Sequence, residues 1–330
     1  MSRPEPLVQF AGTGRFLPER VVTNDDLAKI VDTNDEWIRS RSGIVTRRIA
    51  DESMTAAAMG TESARRAMKD AAVGVEDIGV LIVAPATPDR WLPSTACDIQ
   101  ALLEIPNALA LDVSAACSGW LYGVSMAEGY LAARRADYAL VVSTEKMSGI
   151  LDWTDRSTCV LFGDGSGAAV LKRSVDGTGI VSSFHGSDGN LAELLYRPAG
   201  GVSMPLDQER LARRDHLMKM SGREIFKNAV RCMADASTRA LKAADMTGDD
   251  VDLMIPHQAN IRIVEATAKY AGIPMEKVFV NLDRYGNMSS ASIPVALDEA
   301  RESGVLEPGM RVLTSTFGAG LTWGAMVWQF

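Results

Sequence analysis

An internal repeat is the feature that most restricts how this chain can fold. The segment Ala67 to Ile82 contains a helical pattern, an acidic turn and an apolar run, and the same order recurs 173 positions later in Ala240 to Ile255. Leu140 to Thr144 likewise resembles Val312 to Thr316, 172 positions later. Helix–strand units often agree by chance, but the constant offset favours duplication. Duplication predicts two similar αβ halves with a functional site between them.

Strand-like and helix-like segments alternate along the chain, which predicts an α/β fold whose sheets are covered by helices. Apolar runs at Val80–Ala84, Ala108–Val113 and Ala139–Val142 are typical of buried strands. Ala56–Ala72 and Arg223–Ala244 have the periodicity of helices with one apolar face. These segments are the predicted frame of the fold.

The length of the chain sets the expected size of each half. Of its 330 residues, 47% are hydrophobic, which is enough for a large core and for roughly two domains of about 150 residues each. The charged, turn-rich stretch Arg173–Gly179 is the best candidate for the division. We therefore expect an N-terminal half at residues 1–175 and a C-terminal half at residues 176–330.

Charge, hydropathy and cysteine spacing argue against several classes of protein. The net charge of -8 disfavours a general nucleic-acid binder. The most apolar region, Ala108–Val124, is interrupted by Asp112, so we expect no membrane span. The N-terminus has no basic start followed by an apolar segment, so we expect no secretory signal. The scattered cysteines lack metal-ligand spacing and fit a cytoplasmic protein with free thiols and no metal site.

Cys117 is the first candidate for a chemical role. It lies in the run DVSAACSGWLYG, where an apolar strand pattern gives way to a helical pattern. Unpaired N–H groups and the positive end of the helix dipole favour the thiolate, the nucleophilic form of cysteine. A buried structural cysteine is an equally good interpretation of this segment alone. The other three cysteines lie within helix or strand patterns and are predicted to be buried core residues: Cys97, Cys159 and Cys232.

His257 and Asn287 are the candidate polar partners. His257, in MIPHQANIRI, follows the apolar strand of the second half, at the strand end where α/β sites form. Taken alone, it is equally a ligand, a hydrogen-bonded core residue or a catalyst. Asn287, in NLDRYGNMSSAS, precedes a helical pattern, and a capping role is the simpler interpretation. In the repeat, Asn287 nearly matches the position of Cys117.

The three side chains together suit one chemistry. A Claisen condensation attacks a thioester and forms an enolate, whose oxygen accepts hydrogen bonds from a histidine N–H and an asparagine N–H. A cysteine protease is the competing use of the same trio. The surroundings of Cys117 do not resemble those of a protease, which favours the condensation.

Six motifs follow one another along the chain between Phe10 and Phe330: TNDEWIRSRSGI, DVSAACSGW, FGDGSGAAVL, PHQAN, GNMSSAS and FGAGLTWG. They closely resemble the motifs of β-ketoacyl-acyl carrier protein synthase III, the initiating condensing enzyme of fatty acid synthesis. The resemblance implies a thiolase-like fold, in which two duplicated αβ halves with buried mixed sheets form a layered αβαβα arrangement. It also implies a homodimer.

The resemblance implies a role for each matching residue. Cys117 corresponds to the acyl-accepting nucleophile, and His257 and Asn287 correspond to the donors for decarboxylation and condensation. The backbone N–H groups of Cys117 and Ala319 correspond to the oxyanion hole. Five residues correspond to the coenzyme A and pantetheine site: Trp37 and Arg156 at the adenine, Arg41 near the phosphates, Asn260 in the pantetheine tunnel and Phe317 beside the nucleophile.

Two further regions bear on specificity in the family. Leu92 stands where some relatives carry a phenylalanine that shapes the acyl pocket across the dimer, which leaves the primer open. Lys227, Arg262 and Lys269 correspond to contacts with the acidic acyl carrier protein. Glu209–Arg231 has seven basic and three acidic residues, which favours steering of an acidic partner. A solvated charged face is the alternative interpretation.

The glycine-rich run FGDGSGAAVL superficially resembles a phosphate-binding loop. It lacks the Lys-Ser/Thr ending of such loops and continues into a strand pattern. We therefore predict close backbone packing at Gly163, Gly165 and Gly167, and no nucleotide-phosphate site.

The predicted reaction joins an acyl-coenzyme A primer to malonyl-acyl carrier protein through an acyl-Cys117 intermediate and yields a 3-oxoacyl-acyl carrier protein. Coenzyme A is a substrate carrier here, so no cofactor is expected. One alternative is a specialised acyltransferase or starter-unit ketosynthase of secondary metabolism or biotin precursor synthesis. Another is a non-catalytic partner subunit, which the retention of Cys117, His257 and Asn287 disfavours. FGAGLTWG has no second cysteine, which disfavours a degradative thiolase.

Overall fold

The computed structural model describes residues 7–330. Its strands are β1 Val8–Phe16, β2 Val21–Thr23, β3 Thr46–Arg48, β4 Ile78–Val83, β5 Leu109–Asp112, β6 Tyr138–Glu145, β7 Gly165–Arg173, β8 Gly179–Ser187, β9 Leu195–Tyr196, β10 Lys219–Met220, β11 Leu253–Pro256, β12 Arg311–Gly318 and β13 Thr322–Gln329. Its helices are α1 Asn24–Ala28, α2 Asp35–Ser42, α3 Ala56–Ala71, α4 Thr95–Leu103, α5 Gly119–Ala132, α6 Gln208–Ala212, α7 Gly222–Ala243, α8 Ile261–Ala271, α9 Leu282–Tyr285 and α10 Ser292–Glu302. Within residues 7–330, no helix has the length and apolarity needed to cross a membrane, and no three His, Cys, Asp or Glu side chains are grouped as metal ligands.

Two mixed sheets form the frame of the molecule. The first has five strands in the order β1-β7-β6-β4-β5, and the second has four in the order β8-β13-β12-β11. β4 runs parallel to β5 and β6, as β11 does to β12, and the remaining neighbours in both sheets are antiparallel. The sheets therefore share one topology, and an isolated parallel bridge between Met254 of β11 and Val278 stands where β5 pairs with β4 in the first half. The chain passes from one sheet to the other between Arg173 and Gly179.

Backbone conformation repeats with the same offset as the sequence. Ala72 and Asp245, which follow α3 and α7, both have a φ of 54°. Ala116 and Ser289, in the 3₁₀ turns that precede α5 and α10, have φ values of 46° and 49°. Left-handed backbone is uncommon in residues that carry a side chain. Two pairs of such residues, each 173 positions apart, confirm the predicted duplication.

The strands alternate between two cores, because successive strand residues point to opposite faces of a sheet. In β6, Leu140 and Val142 pack with α3 and α4, whereas Ala139 and Val141 pack with α5. In β12, Leu313 packs with α7 and α8, whereas its neighbour Val312 packs in the core that contains α5 and α10. Helices α5 and α10 therefore lie between the two sheets, and α3, α4, α7 and α8 cover the outer faces.

The result is five layers in the order αβαβα, which confirms the predicted fold class. The central core contains the largest fully buried side chains, among them Trp120 of α5 and Trp328 of β13. Their ring centroids are 6.3 Å apart, and Phe10 of β1 lies 4.3 Å from Trp328. Residues from both halves thus share one core, which fixes the halves relative to each other.

Burial of the cysteines agrees with the prediction at two of three positions. Cys159 and Cys232 are buried, but Cys97 is exposed, so the prediction of a core cysteine there was wrong. Cys97 lies in the first turn of α4, where the Ser94 hydroxyl donates to its sulfur at 3.2 Å. The apolar face of α4 is formed by Ile99 and its buried neighbours, and Cys97 lies on the other face.

Candidate active site

Two cavities meet at Cys117, which lines both of them. The first has a volume of about 530 Å³ and the second of about 450 Å³. Cys117 is only 8% exposed, so access to its sulfur runs through these cavities. Six side chains singled out in the sequence line the first cavity with it: Trp37, Arg41, His257, Asn260, Asn287 and Phe317. The second cavity has a largely apolar wall that includes Val113, Met147, Ile150, Phe162, Leu195 and Met218.

The backbone turns sharply from strand to helix just before Cys117. Strand β5 ends at Asp112, whose carboxylate accepts hydrogen bonds from the N–H groups of Thr95 and Ala96, each at 2.8 Å. This bond pair anchors the start of α4 beside the strand end. Ala116 then takes the left-handed conformation, and Cys117 follows within the 3₁₀ turn that leads into α5. The turn exposes the Cys117 side chain to both cavities.

Gly318, at the end of β12, lies directly against this turn. A Cβ atom at Gly318 would stand 2.7 Å from the backbone nitrogen of Cys117 and 3.1 Å from that of Ser118. Two residues earlier, the Thr316 hydroxyl donates to the carbonyl oxygen of Cys117 at 2.9 Å. The C-terminal end of β12, in the second half, thus positions the nucleophile of the first half. The contact is too close for any residue other than glycine at position 318.

Burial, rather than the helix terminus, sets the protonation state of Cys117. Desolvation raises the pKa of its thiol to about 12, and the nearby carboxylate of Glu145 acts in the same direction. A hydrogen bond from the Ser289 hydroxyl lowers the pKa but does not offset the burial. Burial therefore acts against the thiolate that the helix N-terminus was predicted to favour. The resting side chain is a neutral thiol, because a buried anion loses most of its hydration.

His257 supplies a neutral imidazole to the first cavity. It follows β11 directly, and its backbone N–H donates to the carbonyl of Ser315 on β12 at 2.8 Å. The residue is 2% exposed, and desolvation lowers the pKa of the imidazole to about 4. A neutral imidazole carries one N–H group and can therefore donate one hydrogen bond to an oxygen in the cavity.

Asn287 presents its amide to the same cavity and also supports the local fold. Its side-chain oxygen accepts the backbone N–H of Ser289 at 2.8 Å, which leaves the NH₂ group as a donor. Its backbone pairs with the neighbouring segment through Leu161 and Gly163, at 2.9 and 3.0 Å. A Cβ at Gly163 would lie 2.3 Å from the carbonyl oxygen of Tyr285. The close backbone packing predicted for the glycine-rich run is confirmed here.

Trp37 and Arg41 line the outer end of the first cavity, and Arg156 lies beside Trp37 without lining the cavity itself. The guanidinium of Arg41 lies 5.1 Å from the ring centroid of Trp37, and that of Arg156 lies 5.2 Å from it. Arg156 also donates to the carbonyl oxygen of Asp32 at 2.8 Å. Asn260 caps α8 and donates to the carbonyl of Arg41 at 3.0 Å. These contacts tie the cavity mouth to α2 and α8.

Two predicted site residues lie elsewhere. Ala319 lines the second cavity rather than the first, next to Gly318 and beside Cys117. Leu92 is 85% exposed and lines neither cavity of its own chain, although its neighbour Trp91 borders the second one. A pocket role for Leu92 therefore requires another copy of the chain.

Lys227, Arg262 and Lys269 lie on the outer helices next to the mouth of the first cavity. Lys227 is on α7, and the other two are on α8, which packs against α7. All three side chains are exposed. The Arg262 guanidinium lies 5.4 Å from the ring centroid of Phe226 and borders the cavity. The three cations thus share one surface.

Comparison with known proteins identifies the family. The family described as 3-oxoacyl-[acyl-carrier-protein (ACP)] synthase III matches residues 111–189, and its C-terminal family matches residues 241–330. The β-ketoacyl-[acyl-carrier-protein] synthase III of Caldanaerobacter subterraneus is 48% identical, over 96% of this chain and 96% of its own. The chain belongs to the 3-oxoacyl-[acyl-carrier-protein] synthase III family.

Solved structures support the same assignment. The synthase III of Aquifex aeolicus is 44% identical with a TM-score of 0.90, covering 98% of this chain and 100% of that one. A priming β-ketosynthase from the R1128 polyketide biosynthetic pathway is 32% identical with a TM-score of 0.90, covering 99% and 97%. The predicted resemblance and thiolase-like fold are thereby confirmed. The chain is an acyltransferase-type condensing enzyme that initiates fatty acid synthesis.

Glu145 and Ser289 lie close to Cys117, and neither was singled out from the sequence. Glu145 is fully buried at the end of β6, and its carboxylate accepts hydrogen bonds from Thr87 and Ser290. Ser289 lines the second cavity with Cys117. The repeat contained a usable signal, since Ser290 stands 173 positions after Cys117. Ser289 directly precedes that equivalent position, and Glu145 is hydrogen-bonded to it.

We expect the imidazole of His257 to stay neutral from about pH 8 down to about pH 5, because burial lowers its pKa to about 4 from an ordinary 6.5. The unfolded chain takes up this proton near pH 6.5 and the folded chain only near pH 4. The site therefore contributes stability above pH 6.5 that is lost as the pH falls toward 4. Heteronuclear NMR of labelled imidazole rings measures the titration, with His257→Ala for assignment. The resonance that is present in the wild type and absent from His257→Ala belongs to His257. If it titrates near pH 6.5 in the wild type, the expectation is wrong.

Proposed function

We propose that this synthase III transfers an acyl group from acyl-coenzyme A to Cys117 and condenses it with malonyl-acyl carrier protein. The product is a 3-oxoacyl-acyl carrier protein. The observation that carries the proposal is the convergence of Cys117, His257 and Asn287 on one cavity of about 530 Å³. The named relative at 48% identity makes a β-ketoacyl-acyl carrier protein, which supports the same product here.

In the first half-reaction, the sulfur of Cys117 attacks the thioester carbonyl of acyl-coenzyme A. A carbon–sulfur bond forms to Cys117 and the bond to coenzyme A breaks. The proton that the Cys117 thiol gives up is balanced by the one that the departing coenzyme A thiolate takes up, so coenzyme A is released as a free thiol. We assign the oxyanion of the tetrahedral intermediate to the backbone N–H groups of Cys117 and Ala319, which lie beside each other at the second cavity. Preorganised N–H groups of this kind stabilise developing charge without reorganisation.

In the second half-reaction, the malonyl thioester occupies the first cavity and loses carbon dioxide. The electron pair left behind forms an enolate, whose oxygen accepts hydrogen bonds from the His257 imidazole and the Asn287 amide. Both groups are neutral, so they stabilise the anion without a proton transfer. The enolate carbon then attacks the acyl-Cys117 carbonyl, and the Cys117 thiolate leaves and regains a proton. Phe317, 5% exposed beside the sulfur, excludes water from this step.

The outer end of the first cavity fits the nucleotide part of coenzyme A. We propose that its adenine stacks between Trp37 and Arg156 and that Arg41 pairs with phosphate, with Asn260 along the pantetheine path. The Arg156 guanidinium now lies 5.2 Å from the Trp37 ring centroid. An inserted ring needs about 7 Å, two van der Waals contacts, so Arg156 must swing outward on binding. Its side chain is exposed, and the movement would break its hydrogen bond and ion pair with Asp32.

The second cavity fits the acyl chain of the primer. Its wall is largely apolar, with Val113, Met147 and Ile150 among the lining residues. Transfer of a hydrocarbon chain from water to such a wall contributes about 0.8 kcal/mol per methylene. We propose that Leu92, exposed in its own chain, limits the chain length from the partner subunit.

The proposed chemistry uses side chains, backbone N–H groups and two thioester substrates. We propose that it proceeds without a resident cofactor or metal ion, because His257 and Asn287 already supply two donors to the enolate oxygen. Coenzyme A thioesters and carrier proteins are intracellular substrates, so we also propose a cytoplasmic location. Nucleic acid and membrane have no part in this reaction.

We expect the wild-type protein to gain the mass of one acyl group when it is incubated with acyl-coenzyme A. Cys117→Ala should gain none, because it lacks the acceptor sulfur. Intact-protein mass spectrometry measures the adduct. Cys97→Ser is the matched control, since Cys97 is the exposed cysteine, and it should be acylated like the wild type. An unmodified wild type, or an adduct retained by Cys117→Ala, would falsify the proposal.

The exposed cations next to the first cavity fit an acidic carrier protein. Within residues 7–330, four of them form no ion pair: Arg223, Lys227, Arg262 and Lys269. Nearby arginines are different, since Arg213 is paired with Glu209 and Asp215. We propose that the unpaired group, on α7 and α8, is the docking surface for malonyl-acyl carrier protein.

Reversal of these charges should slow condensation without affecting acyl loading. Lys227→Glu combined with Lys269→Glu should lower kcat/KM for malonyl-acyl carrier protein about tenfold at low salt and leave acylation by acyl-coenzyme A unchanged. Lys242→Glu, at the far end of α7, is the matched control. Steady-state kinetics at two salt concentrations measure the effect. If the double variant and Lys242→Glu have the same rates in both reactions, the docking proposal is wrong.

An exposed apolar face fits the proposed homodimer. β5 is an edge strand of the first sheet, and an edge strand presents unpaired backbone groups to a partner. Leu109 of β5 is 44% exposed and Leu102 of the neighbouring α4 is 49% exposed. We propose that two copies pair through β5, which also brings Leu92 of each chain toward the other.

Sedimentation should give a wild-type mass of about twice the chain mass of 35.5 kDa. Leu109→Lys should shift the protein toward the monomer, because it places two like charges at a symmetric interface. Val175→Lys, at another apolar position that is 81% exposed, is the control and should remain dimeric. A wild-type monomer, or a dimer unaffected by Leu109→Lys, would refute pairing through this face.

A further inference from the structure

Two arginines line the second cavity together with Cys117, and only one of them has an anionic partner. Arg90 forms an ion pair with Asp98. Within residues 7–330, Arg197 forms no ion pair, and its guanidinium makes one hydrogen bond, from Nε to the carbonyl oxygen of His216 at 3.0 Å. The N–H groups on both terminal nitrogens of Arg197 remain as donors. The cavity thus contains a cation whose anion is not supplied by the described part of the chain.

The backbone around Arg197 is anchored to the cavity wall. Arg197 directly follows β9, which pairs with β10. Leu195 of β9 and Met218, just before β10, both line the cavity. The N–H of Met218 donates to the carbonyl oxygen of Ile150, another lining residue, at 2.9 Å. Arg197 is exposed whereas Cys117 is buried, so the guanidinium lies toward the solvent side of the cavity and the sulfur at its buried side.

No acidic side chain of the cavity competes for this guanidinium. In the part of the chain that the structure describes, Asp112 is the one acidic residue that lines the second cavity. Both of its carboxylate oxygens are occupied, because they accept the N–H groups of Thr95 and Ala96 at 2.8 Å. The cavity wall removes part of the water around Arg197, and this desolvation lowers the pKa of the guanidinium with no carboxylate to oppose it. In contrast, the carboxylates next to Arg213 raise the pKa of that residue.

We propose that Arg197 binds a carboxylate at the far end of the acyl group, so that the second cavity accepts primers derived from dicarboxylic acids. The inference rests on the proposed transfer of the primer to Cys117 and adds the chemical class of that primer. The thioester carbonyl lies at the sulfur, the methylenes lie along the apolar wall, and the terminal carboxylate pairs with Arg197. The carboxylate takes no part in the exchange of bonds at Cys117. The cavity volume of about 450 Å³ leaves room for an acyl group longer than acetyl.

The energetics of burial make Arg197 selective between primers. A carboxylate that enters an apolar cavity loses hydration, and only a cation with matching hydrogen bonds offsets that loss. The planar guanidinium can bind both carboxylate oxygens at once. A site that pairs a polar group discriminates strongly against an analogue that lacks it, whereas an apolar wall discriminates weakly between similar chains. Arg197 should therefore distinguish primers of equal length that differ only at the end remote from the thioester.

Matched pairs of thioesters test this role. Succinyl-, glutaryl- and adipyl-coenzyme A are compared with butyryl-, pentanoyl- and hexanoyl-coenzyme A, which have the same lengths and end in a methyl group. Intact-protein mass spectrometry gives the rate of Cys117 acylation by each. At one or more lengths, the wild type should be acylated faster by the dicarboxylic member. Arg197→Leu should slow that reaction at least about tenfold, the usual effect of losing hydrogen bonds to a charged group. Acylation by the neutral member should stay the same or become faster, because leucine extends the apolar wall.

Two further variants separate charge from structure. Arg197→Lys keeps the charge without the planar fork, so it should retain part of the preference for the dicarboxylic primer. Arg213→Leu is the matched control, since Arg213 lies in the same loop but is paired with Glu209 and Asp215 and lines neither cavity. It should keep the wild-type preference.

The outcomes distinguish this inference from the function on which it rests. If no pair shows a preference that depends on Arg197, or if Arg197→Leu slows both members of each pair equally, the inference is wrong. It is also wrong if Arg197→Leu changes the sedimentation of the protein and leaves the preference intact, because Arg197 then pairs with a second copy of the chain. A wild type that none of the six thioesters acylates refutes the proposed function itself.

Discussion

The contact between Gly318 and the backbone of Cys117 is the interaction on which the site depends. It joins the end of β12 in the second sheet to the start of α5. The position of the nucleophile in the first half is therefore fixed relative to the polar partners in the second half. A Cβ at Gly318 would stand 2.7 Å from Cys117 N, well inside van der Waals contact. The neighbours have little room to move, because protein interiors are packed like crystals. His257, which follows a strand paired with β12, is positioned through the same sheet.

Desolvation at this contact explains the protonation states of the site. The change in the pKa of Cys117 from 9.0 to about 12 corresponds to about 4 kcal/mol against the thiolate. A helix terminus contributes at most about 2 kcal/mol in the other direction, and here the first turn is 3₁₀ rather than α. Burial therefore outweighs the dipole. The same burial keeps His257 neutral, which suits it as a hydrogen-bond donor and makes it a weak proton acceptor.

Features set by local pattern were predictable from the sequence, and features set by distant contacts were not. The repeat predicted the two halves, and α3 and α7 lie within one residue of their predicted bounds. The motifs placed Cys117, His257 and Asn287 on the ends of elements that the fold brings to one cavity. The sequence did not reveal the neutral thiol, because its pKa depends on what the second half packs against Cys117. The exposure of Cys97 was missed for the same reason, since helix periodicity alone did not say which face of α4 meets the sheet.

The two halves carry different residues at one pair of equivalent positions next to the nucleophile. Where the first half has Cys117 against Gly318, the repeat has Ser290 against Glu145. A duplicated fold starts with two equivalent turns at the centre of the molecule, and both border the second cavity here, one through Cys117 and the other through Ser289. A buried, unpaired carboxylate costs several kcal/mol unless hydrogen bonds offset the lost hydration, so a group with no function would be easily replaced. The second turn has become part of the first site, because Ser289 lines the cavity with Cys117 and the neighbouring Ser290 binds the buried carboxylate of Glu145.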